Sequence, residues 1–145
     1  MEALLAELGP LLYGINYVVF LRAYRCPFVP DAPAEWYVYQ ALGPDVVVGG
    51  IGEVGGPEVL AEVESALRYA GDRHAGPKPV VLRSRRYKGL VRAVLSELEQ
   101  AVAEASVVAT FWLREGHPAY PVFWDFAFVI AGPAGGLVFV GSSSD

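Results

Sequence analysis

The chain has few of the residues on which most small-protein chemistry depends. Its 145 residues include one cysteine, Cys26, and two histidines, His74 and His117. A single cysteine excludes an internal disulfide framework and a cysteine-based zinc cluster, and it predicts a cytoplasmic protein. The two histidines lack metal-ligand spacing, and the sequence has no Gly-x-Ser-x-Gly motif. Neither a metal site nor an activated nucleophile is therefore predicted.

Charge is also scarce, since 19% of residues are charged and 54% are hydrophobic. This balance is too apolar for a disordered chain and predicts one folded domain over residues 1–145. The uncharged stretch 126–144 approaches the length of a membrane span, but the glycines and proline of 132–136 predict a hairpin turn in its middle. We therefore expect no membrane partner. The scarcity of asparagine and threonine suits a thermophilic source.

Hydrophobic periodicity predicts strands, then helices, then strands again. The predicted strands are 15–24, 36–42, 46–50, 107–114, 122–130 and 137–140. The predicted helices are 2–8, 57–70 and 87–105. Short links between strands favour an α+β domain with a mainly antiparallel sheet of five to six strands and the two main helices on one face. The arrangement resembles the broad class of PAS-like and profilin-like domains, a topological analogy that implies no activity.

A buried core follows from the same periodicity. The apolar faces of the two long helices should pack against the inward side of the sheet, because each helix has a single apolar stripe. The residues expected to be largely buried are Leu60, Val63, Leu67, Val94, Leu98, Phe111, Trp124 and Phe126.

One glycine motif could indicate a chemistry. Gly50, Gly52 and Gly55 spell Gly-x-Gly-x-x-Gly after an apolar run and before a helix. In dinucleotide-binding folds such a loop holds a pyrophosphate at a helix N-terminus, and arginines further on meet the 2′-phosphate of NADP. Pro57 opposes this interpretation, because proline is tolerated in a helix only at its start. That constraint predicts that every glycine of the motif lies in a flexible loop.

A basic segment is the second candidate. Residues 72–92 contain seven cations and one anion, so this segment has a net charge of +6. Because the whole chain has a net charge of −5, the remaining residues carry −11. The cations nearest the predicted start of the second long helix are Arg83, Arg85, Arg86 and Lys88. They could bind a phosphate-bearing small molecule, or they could form a solvated surface that pairs with acidic groups of the chain or of a second subunit. A pI near 5.0 argues against nucleic acid as a partner.

Three further residues allow competing interpretations. Asp125 interrupts the most apolar strand, where desolvation could make it a general base together with His117, or where it could be paired or exposed at a sheet edge. Cys26 follows Arg25, whose charge could lower the pKa of the thiol, or it is a small buried hydrophobe.

Residues 142–144 are predicted to form a terminal tail.

These features predict a non-catalytic domain that binds a small ligand or a protein partner, without a cofactor, and that has an anion site at 83–88. The alternative is a small NADP-binding enzyme that uses the glycine loop 50–55 and the arginines of 83–86. The aromatic residues Trp112, Tyr120 and Trp124 also predict a homodimer surface.

Overall fold

The computed structural model describes residues 1–72 and 74–145, which form one five-stranded sheet, one two-stranded sheet and the helices around them. The helices are α1 (Glu2–Leu12), α2 (Ala34–Leu42), α3 (Gly56–Leu67), α4 (Pro79–Leu82) and α5 (Arg85–Ala103). The strands are β1 (Gly14–Ile15), β2 (Val18–Cys26), β3 (Val47–Glu53), β4 (Gly76–Pro77), β5 (Val107–Glu115), β6 (Trp124–Gly132) and β7 (Gly135–Ser144). The large sheet has the order β2-β7-β6-β5-β3 with antiparallel neighbours, and β1 pairs with β4.

The predicted α+β class is confirmed, and the sheet carries helices on both faces. Helices α1, α3 and α5 pack on one side, which we call the three-helix face. Helix α2 packs on the opposite side, which we call the α2 face. Each face has its own hydrophobic cluster, so the sheet is the shared middle layer of the domain.

The predicted strand over 36–42 is wrong, because these residues form most of α2. Their aromatic and β-branched composition favours a strand, but burial against the α2 face decides the outcome. Tyr37 and Val38 are fully buried there. The Tyr37 hydroxyl also accepts from the Val29 backbone N–H at 3.1 Å and donates to the Val29 carbonyl at 3.0 Å, which ties the helix to the preceding loop.

Most of the predicted core is confirmed. The residues that are buried as expected are Val63, Leu67, Val94, Leu98, Phe111 and Phe126, whereas Leu60 and Trp124 are partly buried. The predicted turn at 132–136 is confirmed as the β6–β7 hairpin, which closes at Gly132 and Gly135. The predicted terminal tail is wrong, since 142–144 belong to β7 and pair with β2, and Ser142 and Ser143 also pair with β6. Among the described helices, none has the length and apolar character needed to span a membrane.

A doubly wound dinucleotide fold would place the apolar run 46–48, before the glycine motif, and a second short apolar run, 80–82, in adjacent parallel strands. Strand β3 instead pairs antiparallel with β5. The second run forms the short helix α4 rather than a strand. The prediction that all glycines of the motif lie in a loop is also wrong, because Gly50 and Gly52 are inside β3 and Gly55 is the N-cap of α3.

Strand β3 is rich in glycine because the indole of Trp112 lies over it. A Cβ atom added at Gly49 would overlap the indole ring, and one added at Gly50 would come within 2.6 Å of Nε1. The nearest atom to a Cβ at Gly52 is Thr110 Cγ2, at 4.0 Å. The close approach of an aromatic ring therefore accounts for Gly49 and Gly50 without a bound phosphate.

The pair Gly50→Ala and Gly52→Ala tests this explanation. We expect Gly50→Ala to displace the indole and to lower the free energy of unfolding by about 1–3 kcal/mol, as overpacking does. Gly52→Ala lies in the same strand and should change stability little. Denaturant unfolding of both variants measures the difference, and equal stabilities would contradict the packing role of Gly50.

Candidate functional site

Strands β5 and β6 form a hairpin that is paired only at one end. In the described chain, four residue pairs join them, from Val107 and Ala131 to Thr110 and Phe128. Beyond Thr110, β5 continues its pairing with β3 and β6 continues its pairing with β7. The Thr110 hydroxyl donates to the Ala127 carbonyl at 3.3 Å, at the point where the ladder stops. We call the resulting gap between the two strands the fork.

Two cavities meet at the fork. The α3-side cavity, of about 440 Å³, lies on the three-helix face and includes Glu62 of α3. The loop-side cavity, of about 250 Å³, lies on the α2 face and is lined by apolar groups that include Leu113 and Val140. Four residues line both cavities: Phe111, Trp112, Asp125 and Ala127. The fork is therefore accessible from both faces of the sheet.

The loop 116–123 covers the loop-side cavity and is anchored on β7. The Val122 backbone N–H donates to the Ser143 carbonyl at 2.7 Å, and the Ser142 hydroxyl lies 3.5 Å from the Ala119 carbonyl that it donates to. Both serines are buried. Because the loop is held on β7, it stays beside β6 while β5 diverges, which keeps the cavity open.

His117 shapes this loop. Its Nδ1 accepts the backbone N–H of Ala119 at 3.1 Å, so a neutral ring carries its proton on Nε2. The imidazole also stacks on Tyr120 with a centroid distance of 6.5 Å. Both residues line the loop-side cavity together with Asp125. The structure therefore brings Asp125 and His117 into one site, as the sequence analysis considered.

Glu62 is the carboxyl group of the fork whose pKa is raised. Asp125 is exposed, as expected for a carboxylate at an open strand edge. Desolvation raises the pKa of Glu62, and the negative charge of Asp125 raises it further, although the Glu62 side chain as a whole is exposed. Among the described residues, the ion pairs join Met1 to Glu97, Arg68 to Glu64 and Arg86 to Glu7. Neither carboxylate of the fork has a described cationic partner.

The described hydrogen bonds give no sign of an assembled nucleophile. None of them joins a serine or threonine hydroxyl or a cysteine thiol to a histidine. The described residues also contain no group of three or more histidine, cysteine or carboxylate side chains that could hold a metal ion. The thiol of Cys26 is half-buried at the edge of the α2-face cluster, where burial raises its pKa. This direction opposes the activating effect considered for Arg25.

The glycine motif and the basic segment do not meet. The N-terminus of α3 packs against the end of α5, because a Cβ at Gly56 would overlap Val102. The opposite ends are joined by the Tyr87 hydroxyl, which donates to the Leu67 carbonyl at 2.8 Å. The two helices are thus antiparallel, and the 15 residue steps from Tyr87 to Val102 span roughly 22 Å at the α-helical rise. At this separation, one dinucleotide could contact both the glycine motif and the basic segment only if the helices rearranged.

An acid already occupies the N-terminus of α3. The Gly55 backbone N–H donates to the Glu58 carboxylate at 2.8 Å, where a phosphate would be held in the dinucleotide hypothesis. The basic segment lies at the start of α5, which begins at Arg85, two residues before the predicted start. Ser84 is its N-cap and accepts the Tyr87 N–H at 3.2 Å. The residues Arg83, Arg85, Arg86 and Lys88 are all exposed. Binding of an anion or of NADP at these residues stays a prediction.

Two residues of the fork were missed by the sequence analysis. Glu62 lies on the exposed side of its helix, and no local pattern indicates that it lies near Asp125. Trp112 was considered only as a dimer contact. Two consecutive glycines in one strand and a tryptophan in another are a weak signal that the indole packs over the glycines. The contact requires the two strands to be neighbours, and local patterns do not show the strand order.

The titration of Glu62 tests the electrostatic coupling at the fork. We expect the pKa of Glu62 to lie above its ordinary value and to fall in Asp125→Asn, because that variant removes the second negative charge. The pKa of Glu62 is then higher in the folded state than in the unfolded state. Its contribution to the free energy of unfolding is therefore fully present below the unfolded-state pKa and is lost as the pH rises through the folded-state pKa. Asp125→Asn should therefore reduce this loss.

Carboxyl NMR titration measures the pKa directly. Asp31→Asn is a matched control, because Asp31 is exposed in a loop on the α2 side and makes the same change of charge. A Glu62 pKa at or below the ordinary glutamate value, or an equal change in both variants, would contradict the coupling.

Comparison with known proteins gives no assignment. No family model matches the chain, and no curated protein or solved structure matches it.

Proposed function

We propose that this protein is a non-catalytic domain that binds a small molecule in the fork between β5 and β6. The single observation that supports this proposal most strongly is the early end of the β5–β6 ladder, where cavities on the two faces of the sheet share lining residues. The larger cavity, of about 440 Å³, falls within the roughly 300–1,000 Å³ of small-ligand sites, and the smaller one, of about 250 Å³, adds to the space at the same point. Aromatic and apolar side chains with a few polar groups line them, as in many such sites.

The charges at the fork favour a ligand with a positive group on an aromatic or apolar body. The linings of the two cavities contain three carboxylates, from Glu62, Glu115 and Asp125, and one cation, Arg114, so their net charge is negative. Trp112 is 55% exposed and Tyr120 is 84% exposed, so both rings can stack on a ligand or face a cation. Outside the basic segment the chain carries −11, and this field attracts cations.

A binding role fits these contacts better than catalysis does. The imidazole of His117 is engaged by its own loop at Nδ1, and its described partners are a backbone N–H and Tyr120. Nucleophilic or triad chemistry would need a hydroxyl or thiol hydrogen-bonded to a base. The alternative of an NADP-binding enzyme would need the glycine motif and the basic segment in one site.

A series of three probes with the same aromatic body tests the proposal. We expect 2-phenylethylamine to bind, 2-phenylethanol to bind more weakly, and 3-phenylpropionate to bind about tenfold or more weaker than the amine. The expected order follows from the carboxylates of the fork. Backbone amide shifts in NMR and thermal shift at fixed ligand concentration measure the affinities and locate the site.

Two variants separate the site from the preference for charge. Ala127→Leu should abolish binding of all three probes, because Ala127 lines both cavities. Asp125→Asn should reduce the advantage of the amine while the alcohol still binds. Ala134→Leu is the matched control, since Ala134 lies exposed in the β6–β7 turn. Unchanged binding in Ala127→Leu, with its fold verified by unfolding, would contradict the proposal.

A homodimer is a second proposal, favoured by the exposure of Trp112 and Tyr120 beside the fork. Trp124 is less suited to this role, because it is partly buried and its Nε1 donates to the buried Tyr17 hydroxyl at 2.6 Å. We expect sedimentation at micromolar concentration to give about twice the 15.6 kDa of one chain. Tyr120→Ser should shift the equilibrium to the monomer. A species of one chain alone would contradict the dimer.

A further inference from the structure

The basic segment is part of a surface that also exposes aliphatic side chains. Strand β1 pairs with β4, so that Ile15 lies opposite Gly76, four residues before Val80 of α4. Helix α4 is followed by α5 after two residues, and the cations of the segment lie along this junction. Ile15 is 71% exposed and Val80 is 67% exposed. We call this region the β1–α5 surface.

The positive charge of this surface is only slightly offset by its surroundings. The described cations are Lys78, Arg83, Arg85, Arg86 and Lys88, all exposed. Glu7 of α1 pairs with Arg86 at 3.2 Å between two exposed side chains. Asp72 lies nearby in sequence, but its carboxylate accepts the backbone N–H groups of His74 and Ala75, both at 2.9 Å. The surface thus keeps a positive charge around protruding apolar side chains.

We propose that the β1–α5 surface docks on the phosphate headgroups of an anionic lipid bilayer. Clustered lysines and arginines are attracted to anionic leaflets, and aliphatic side chains among them can enter the boundary between headgroups and acyl chains. Such docking needs no spanning segment, and the expectation of no membrane partner rested on the absence of one. Salt screens charges over a Debye length of about 8 Å. The cations that face the membrane therefore act on it more strongly than the acidic residues elsewhere in the protein do.

Other partners fit the surface less well. Nucleic acid would meet the cations but would leave Ile15 and Val80 without an apolar partner. A twofold symmetric dimer through this surface would place the basic segment against its own copy, and like charges would then repel. A free phosphate-bearing molecule would meet exposed side chains only and would gain nothing from the aliphatic groups.

Vesicle co-sedimentation of the full chain tests the proposal. We expect binding to vesicles of phosphatidylcholine with 30% phosphatidylglycerol, a composition rich enough in anionic lipid to attract basic clusters. Binding to phosphatidylcholine alone should be much weaker, and high salt should reduce binding. Arg83→Ala with Arg85→Ala should lower the partition constant about 30-fold, since each cation near an anionic surface contributes about fivefold. Ile15→Ser should lower it several-fold.

Matched variants make the outcomes decisive. Arg22→Ala with Arg25→Ala removes the same charge on β2, and Ile51→Ser changes an exposed isoleucine on β3. These controls should bind like the unmodified protein, and equal losses in them would overturn the proposal. Equal binding to both vesicle types would also overturn it. Absence of vesicle binding, combined with a thermal shift caused by inorganic phosphate, NADP or a short oligonucleotide, would assign the cations to those ligands instead.

Discussion

The early end of the β5–β6 ladder is the constraint on which the candidate site depends. A hairpin that paired along its full length would bring Phe111 and Ala127 together and leave no space between the strands. Instead β5 follows β3 and β6 follows β7 beyond Thr110, and each strand keeps its backbone bonds on its other side. The Thr110 hydroxyl satisfies the Ala127 carbonyl at the point of divergence.

The packing around the fork links its stability to its chemistry. The indole of Trp112 lies over Gly49 and Gly50 and also lines both cavities. The loop 116–123 is fastened to β7 and carries His117 and Tyr120 over the α2 face. A ligand at the fork would thus contact groups that belong to opposite halves of the sheet, so binding would join two parts that diverge in the free protein.

The charge of the chain is divided between two surfaces. The carboxylates of Glu62 and Asp125 lie at the fork, whereas the exposed arginines and lysines lie at the start of α5. The antiparallel packing of α3 and α5 separates the start of α3 from the basic segment by roughly 22 Å. A negative and a positive surface can therefore act on different partners, and the overall charge of −5 conceals both.

Local sequence patterns predict the α+β class, the two long helices, most of the buried core and the β6–β7 turn. These features depend on local periodicity and on glycine and proline, which act within a few residues. The tertiary structure makes 36–42 a helix, because burial of this segment against the α2 face outweighs its strand propensity. It also decided that Gly50 makes room for Trp112 and that Glu62 lies near Asp125. Those relations join residues 62 and 63 positions apart, and they follow from the strand order rather than from any local pattern.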